Sequence, residues 1–89
     1  MENYQMNNLY VLSLVNNDVI ISQVFIKNEE FSQKTEVCLI QPFLIKGEYL
    51  TPYWSEYTQQ TDFYLQPTKI VTMMKPKPEL KEKYENLVK

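Results

Sequence analysis

The chain is expected to fold as a mainly β domain: a small, strongly bent five-stranded antiparallel barrel followed by a short C-terminal helix. Three observations lead there. Short apolar runs rich in β-branched and aromatic residues recur in meander order between Leu9 and Met74, separated by polar turns. Asn and Asp stand at the first turn, where most proteins would use the glycine this chain almost lacks. Only the last stretch, after Lys75-Pro-Lys-Pro78, carries apolar residues at helical spacing.

The first strand is Leu9 to Val15 and the second Val19 to Lys27, joined as a hairpin through Asn16, Asn17 and Asp18. Asn and Asp tolerate the left-handed backbone that a tight turn demands. Alternation in the second strand puts Ile20, Val24 and Ile26 on one face with Ser22, and Ile21, Gln23 and Phe25 on the other. The small Ser22 is expected to mark a close approach in a bent strand. Asn28 to Lys34 is polar and reads as the next turn, with Phe31 its one apolar member.

A third strand is expected from Thr35 to about Lys46. Val37 and Leu39 alternate there with Cys38 and Ile40, so both faces are at least partly buried. Pro42 must interrupt the ladder, which calls for a bend, an edge or a bulge. Tyr49 to Gln60, dense in Tyr and polar residues, reads as a long loop or an extended hairpin tip. Thr61 to Gln66 and Lys69 to Met74 are the fourth and fifth strands, with a corner at Gln66, Pro67 and Thr68.

Glu79 to Lys89 is the helix. Pro78 suits its first turn, Glu79 and Lys83 form an i,i+4 pair, and Leu80, Tyr84, Leu87 and Val88 make an apolar stripe. At this length it is marginal alone and needs a surface to dock on. The expected organisation is an N-terminal segment 1–8, a barrel 9–75 and a C-terminal helix 76–89. SH3-like, Sm-like and OB-like barrels all fit five bent strands of this length.

Composition narrows the function. The chain has 89 residues, 10.7 kDa, with 44% hydrophobic and 22% charged residues, enough for one modest core. It contains no His, Arg or Ala. The commonest general base and metal ligand is therefore missing, as is the bidentate clamp on phosphate or carboxylate. Asp18, Glu56 and Asp62 show no spacing that suggests a metal site or an acid/base pair, so no enzyme, cofactor or metal is expected. The net charge is -2, which gives no bulk pull toward nucleic acid or an anionic membrane. Cys38 stands alone, which argues for a reducing compartment. Met1 to Asn8 has no apolar core of a signal peptide, and no run is long enough to span a membrane. A cytoplasmic protein is the expectation.

Tyr10-Val-Leu-Ser-Leu14, the Asn16-Asn17 turn and Val19-Ile-Ile-Ser-Gln-Val24 resemble the strand, turn and bent strand of the first motif of the Sm-like (LSm) family. Tyr64-Leu-Gln-Pro-Thr-Lys-Ile-Val71 is similar to its second motif, a strand, a corner and a final strand. The chain resembles more particularly the divergent small Sm-like proteins of marine phages and ocean metagenomes. The resemblance covers about Leu9 to Pro76. It implies a homo-oligomeric ring in which residues 61–66 of one subunit pair with residues 69–74 of the next. It further implies single-stranded RNA or DNA bound through two loops, in the cytoplasm of a phage-infected host. The first loop is Lys27 to Lys34, with Asn28 where the family commonly has Asp and Glu30 or Phe31 at its base-stacking position. Ser32 is the nearest counterpart of its base-contacting Asn. In the second loop Gln66, Pro67 and Thr68, followed by Lys69, replace the family's Arg or Lys, Gly and Asn or Asp. Ser22 stands where a motif Gly is usual.

The candidate nucleic-acid-binding residues are thus Lys27, Asn28, Phe31, Gln66, Thr68 and Lys69. Losing the Arg removes a cation that stacks on bases or contacts phosphate, so low sequence specificity is expected. Tyr49, Tyr53, Trp54 and Tyr57 could stack bases, but with no Lys among them a hairpin-tip or interface role is favoured. Lys75, Lys77, Lys81 and Lys83 alternate with Glu79, Glu82 and Glu85, as a solvated helix face does. The alternative function is a structural or host-interaction oligomer of SH3-like type without nucleic acid.

Overall fold

The computed structural model describes residues 8–29 and 34–89. They form one sheet of six antiparallel strands and a C-terminal helix. The first hairpin joins β1 (Leu9–Leu14) to β2 (Val19–Glu29). Asn17 takes a φ of 73°, and Asn16 Oδ1 accepts the Asp18 N–H at 3.0 Å. Both are the short-side-chain devices expected in place of glycine.

β3 (Lys34–Lys46) pairs with β2 along nearly its whole length. The ladder runs on through Lys27↔Glu36, Asn28↔Thr35 and Glu29↔Lys34, so Asn28, Glu29 and Lys34, expected in a turn, belong to the strands, while residues 30–33 of that turn lie outside the described residues. Lys27 and Glu36, of opposite sign, stand opposite each other across the strand pair there. The ladder breaks once. Ile21 pairs with Phe43 and Gln23 with Ile40, so Ser22 alone faces both Gln41 and Pro42. This is a bulge, and it is what Pro42 requires inside a strand paired on both sides. Gln41 adopts a φ of 52°. Ser22 is fully buried, and its hydroxyl donates to Gln23 O at 2.9 Å and Ile40 O at 3.2 Å.

The expectation of five strands is corrected here. Gly47, at φ 58°, reverses the chain with Glu48, and β4 (Tyr49–Pro52) pairs back on Lys46 to Phe43. The chain then leaves the sheet and returns as β5 (Asp62–Leu65), which pairs with Val37 to Ile40 of the same strand. β4 and β5 therefore share one flank of β3, separated by an excursion over residues 53–61. Both ends of that excursion are pinned at the bulge. The Tyr53 N–H donates to Pro42 O at 2.9 Å, and the Gln41 N–H to Thr61 O at 2.8 Å.

A 3-10 turn, Pro67–Lys69, leads into β6 (Ile70–Met74), which pairs with β1. The strand order is β4-β3-β2-β1-β6 with β5 beside β3. The sheet is not closed: β5 and β6 are not paired with each other.

Both faces of the sheet are covered. On one, Leu12, Leu14, Ile20, Val24, Val37 and Leu39 pack with Trp54, Tyr53, Leu65 and Ile70 around them. On the other, α1 (Pro78–Val88) lays Tyr84, Leu80 and Val88 over Leu9, Val11 and Ile21. This explains why successive residues such as Ile20 and Ile21 are both apolar. Leu87, expected in the helix stripe, is half exposed, because the stripe is centred on the i, i+4, i+8 row 80, 84, 88.

Candidate nucleic-acid interface

The pairing registers bring two of the expected loops to one end of the sheet. Lys27 is exposed and paired with Glu36, Asn28 is paired with Thr35, and Val37 is paired with Leu65. Gln66, one residue beyond Leu65, therefore falls beside the Lys27–Glu36 row. A cleft of about 240 Å³ opens there, lined by Thr35, Glu36, Tyr64, Leu65 and Gln66. Phe31 lies outside the described residues, as do Glu30 and Ser32.

The corner is rigid for local reasons. Pro67 occupies the first position of the 3-10 turn, where a missing N–H costs nothing. The Lys69 N–H donates to Gln66 O at 2.9 Å, and the Val15 N–H donates to Lys69 O at 3.0 Å. Gln66, Thr68 and Lys69 are all exposed. The structure thus joins Gln66 to the Lys27 end and carries Thr68 and Lys69 toward the end of β1.

Electrostatically the site is mixed. Glu36 opposes Lys27 across the strand pair and lines the cleft, so one carboxylate faces any phosphate brought there. Sequence spacing could not single out Glu36. Only the β2–β3 register places it, and the sign alternation 27, 36 is the single trace of it in the sequence. Tyr64, 73% exposed, is a flat apolar surface at the same cleft that the sequence reading did not select.

Of the four aromatic residues considered for stacking, two serve the core. Tyr53 and Trp54 lie 4.1 Å apart between ring centroids, and Trp54 meets Phe63 edge-on at 4.7 Å. Tyr49 and Tyr57 stay exposed. The Tyr53 hydroxyl donates to Asp18 Oδ2 at 2.6 Å, and Asn16 Nδ2 reaches both Asp18 at 3.2 Å and that hydroxyl at 3.3 Å. Burial pushes the Tyr53 hydroxyl above its ordinary pKa, and Asp18 adds to the rise while Asn16 opposes it. Cys38 stands between Phe25 and Tyr64 in the ladder; burial, helped by Asp62 and Glu36, raises its thiol. Lys75 lies over the Tyr10 ring at 4.4 Å, and Lys83 Nζ donates to Glu48 O at 2.9 Å. Two of the four helix-region lysines are thereby engaged with the sheet. No His, Cys, Asp and Glu group able to hold a metal occurs among the described residues, and no helix there is long and apolar enough to cross a membrane.

The model of a family of unknown function, DUF6561, matches residues 7–89. No curated protein matches the chain.

Proposed function

Starting from a chain that belongs to DUF6561, a family of unknown function, we propose a homo-oligomeric Sm-like ring built through the outer edges of β5 and β6. The ring binds single-stranded RNA or DNA with low sequence specificity. One observation carries the assembly: among the described residues β5 pairs only with β3 and β6 only with β1. Two different open edges on one chain favour head-to-tail pairing, and a head-to-tail contact that closes makes a ring. The edges carry little protection: Val71, Met73 and Met74 are exposed apolar residues on β6, and Tyr64 on β5, with Asp62 the one charged residue in either strand. β4, by contrast, ends in Pro52 and is followed two residues on by the left-handed Trp54, at φ 61°, which stops an added strand. In this reading the sheet closes its barrel across the subunit boundary.

The ligand side rests on Lys27, Asn28, Gln66, Thr68 and Lys69, with the position of Phe31 beyond the described residues. A Gln, a Thr hydroxyl and two ammonium groups hydrogen-bond bases and phosphates without reading one sequence. Glu36 favours the second reading, an oligomer without nucleic acid, because it sets a carboxylate against the phosphates. Filter binding with short oligo-U, oligo-A and DNA decides between them. Binding that tightens as salt falls supports the first; none even at low salt rejects it. Lys69→Glu should weaken binding without changing the particle mass.

A further inference from the structure

The excursion over residues 53–61 is not needed to complete the sheet, since β4 and β5 both pair with β3. It builds two adjoining concavities. The first, about 380 Å³, is lined by Pro42, Phe43 and Phe63 with Gln59 and Thr61, and no charged residue lines it. The second, about 360 Å³, is lined by Leu44, Thr51 and Trp54 together with the carboxylates Asp18 and Glu56. Pro52, Tyr53 and Ser55 line both, so they form the ridge between them.

That ridge is held in place. Tyr53 is fixed by its N–H to Pro42 O, by its hydroxyl to Asp18 and by its stacking on Trp54. Among the described residues Trp54 and Gln41 are two of the three non-glycine residues with positive φ; Trp54 lies in the excursion and Gln41 at the β3 bulge to which the excursion is pinned. Such backbone costs on the order of 1 to 3 kcal/mol each and gathers at ligand clamps. A fixed ridge spends little entropy on binding.

We infer that this paired groove is a docking site for an extended, proline-containing peptide segment of another protein with a lysine or arginine at one end. A polyproline II segment has a preformed, three-sided backbone, so successive prolines fall into adjacent pockets walled by aromatic rings. The uncharged pocket takes a proline; the pocket bearing Asp18 and Glu56 takes the cation. Asp18 accepts from Tyr53 and Asn16 and, with two oxygens, retains room for a third donor. The same two carboxylates argue against a phosphate-bearing strand in this groove. The site is separate from the Gln66 corner and does not depend on the ring.

The test uses the full chain and Trp54, its single tryptophan, as a fluorescence probe. It is titrated with acetylated eight-residue peptides having proline at every third position and two lysines at either end. A saturable change with one of the two orientations is expected. It should be lost when alanine replaces proline and weakened when glutamate replaces lysine. Glu56 is exposed, so Glu56→Lys keeps the fold and should weaken binding about fivefold, the effect of one partly exposed ion pair. Three results would overturn the inference: no saturable change up to about 1 mM peptide, which marks the weak limit of specific binding; equal binding of the alanine peptide; or saturation of the same signal by a single-stranded oligonucleotide in place of the peptide.

Discussion

The Tyr84 hydroxyl donates a 2.8 Å hydrogen bond to the carbonyl of Gln41, the left-handed residue of the β3 bulge. It also reaches Ile40 O at 3.2 Å and accepts from Gln23 Nε2 at 3.3 Å, while its ring meets Phe43 edge-on at 5.6 Å. The C-terminal helix is thus latched to the point where the sheet bends. That point also holds both ends of the excursion, through Tyr53 and Thr61. A helix too short to persist alone gains its order there.

Tyr84→Phe keeps the ring and removes the hydroxyl, leaving the part-buried Gln41 carbonyl at the bulge short of a donor. The expected loss is about 1 to 3 kcal/mol, read as a lower denaturant midpoint with unchanged slope. Tyr84→Ala should cost more, about 3 to 5 kcal/mol, since it also empties the space beneath α1. Amide exchange at Gln41 and Tyr53 should rise in Tyr84→Phe, whereas Asn17, bonded to Leu14 O in the first turn, should stay protected.

Ser22 offers no room for growth. It is fully buried, with its hydroxyl bonded to the carbonyl of Gln23 on its own strand and to that of Ile40 on β3. Ser22→Val should destabilise the fold by roughly 1 to 3 kcal/mol from overpacking, with the loss of the hydroxyl's hydrogen bonds adding to it. Ser22→Gly should be milder in a thermal melt, because it adds no volume.

Tyr53 links stability to alkaline pH. Burial holds its hydroxyl protonated in the folded chain beyond the pH at which the unfolded chain ionises it, so the folded state binds more protons there. Its contribution is complete below the ordinary tyrosine value of about 10 and is lost as pH rises through the folded value. Urea titrations at pH 8 and pH 10.5 should show a steeper fall for the wild type than for Tyr53→Phe. Equal falls would detach the Asp18–Asn16–Tyr53 cluster from this behaviour.

Cys38 should resist alkylation. Its raised thiol keeps the thiolate scarce at neutral pH, and neighbouring strands cover it in part. Iodoacetamide is expected to label it well below the rate of a free thiol at pH 7.5, with full labelling in denaturant.

Val71→Lys tests the assembly. Val71 is 65% exposed and stands where the β1–β6 register shifts, so the folded monomer should lose no more than about 0.5 kcal/mol. A charge on that open edge should dissolve the ring into monomers in analytical ultracentrifugation. A mass identical to the wild-type oligomer would exclude β6 from the contact; a monomeric wild type would exclude the ring itself.

The strands were legible because their signals are local. Alternation in Val19 to Lys27 separated Ile20 and Val24 from Ile21, and the structure sends these to opposite cores. Pro42 announced the irregularity and Ser22 the close approach, and a single bulge contains both. Pro78 and the 80, 84, 88 spacing located the helix. β4 lay in a stretch read as a long loop or an extended hairpin tip, because four residues, Tyr-Leu-Thr-Pro, are too few to show a strand pattern; pairing with β3 makes them a strand.

For the candidate interface, the sequence by itself determined the chemical inventory: no His or Arg, a Gln-Pro-Thr-Lys corner and lysines at the ends of strands. Tertiary structure alone decided which of these meet. Glu36 opposes Lys27, and Gln66 joins them, only through the β2–β3–β5 register. The Asp18–Tyr53 bond likewise spans 35 positions of chain. Local pattern fixes which residues can form a strand, because backbone and neighbouring side chains set it. Which charges and hydroxyls face each other depends on pairing between distant segments, and that is settled only when burial of the common core selects one register.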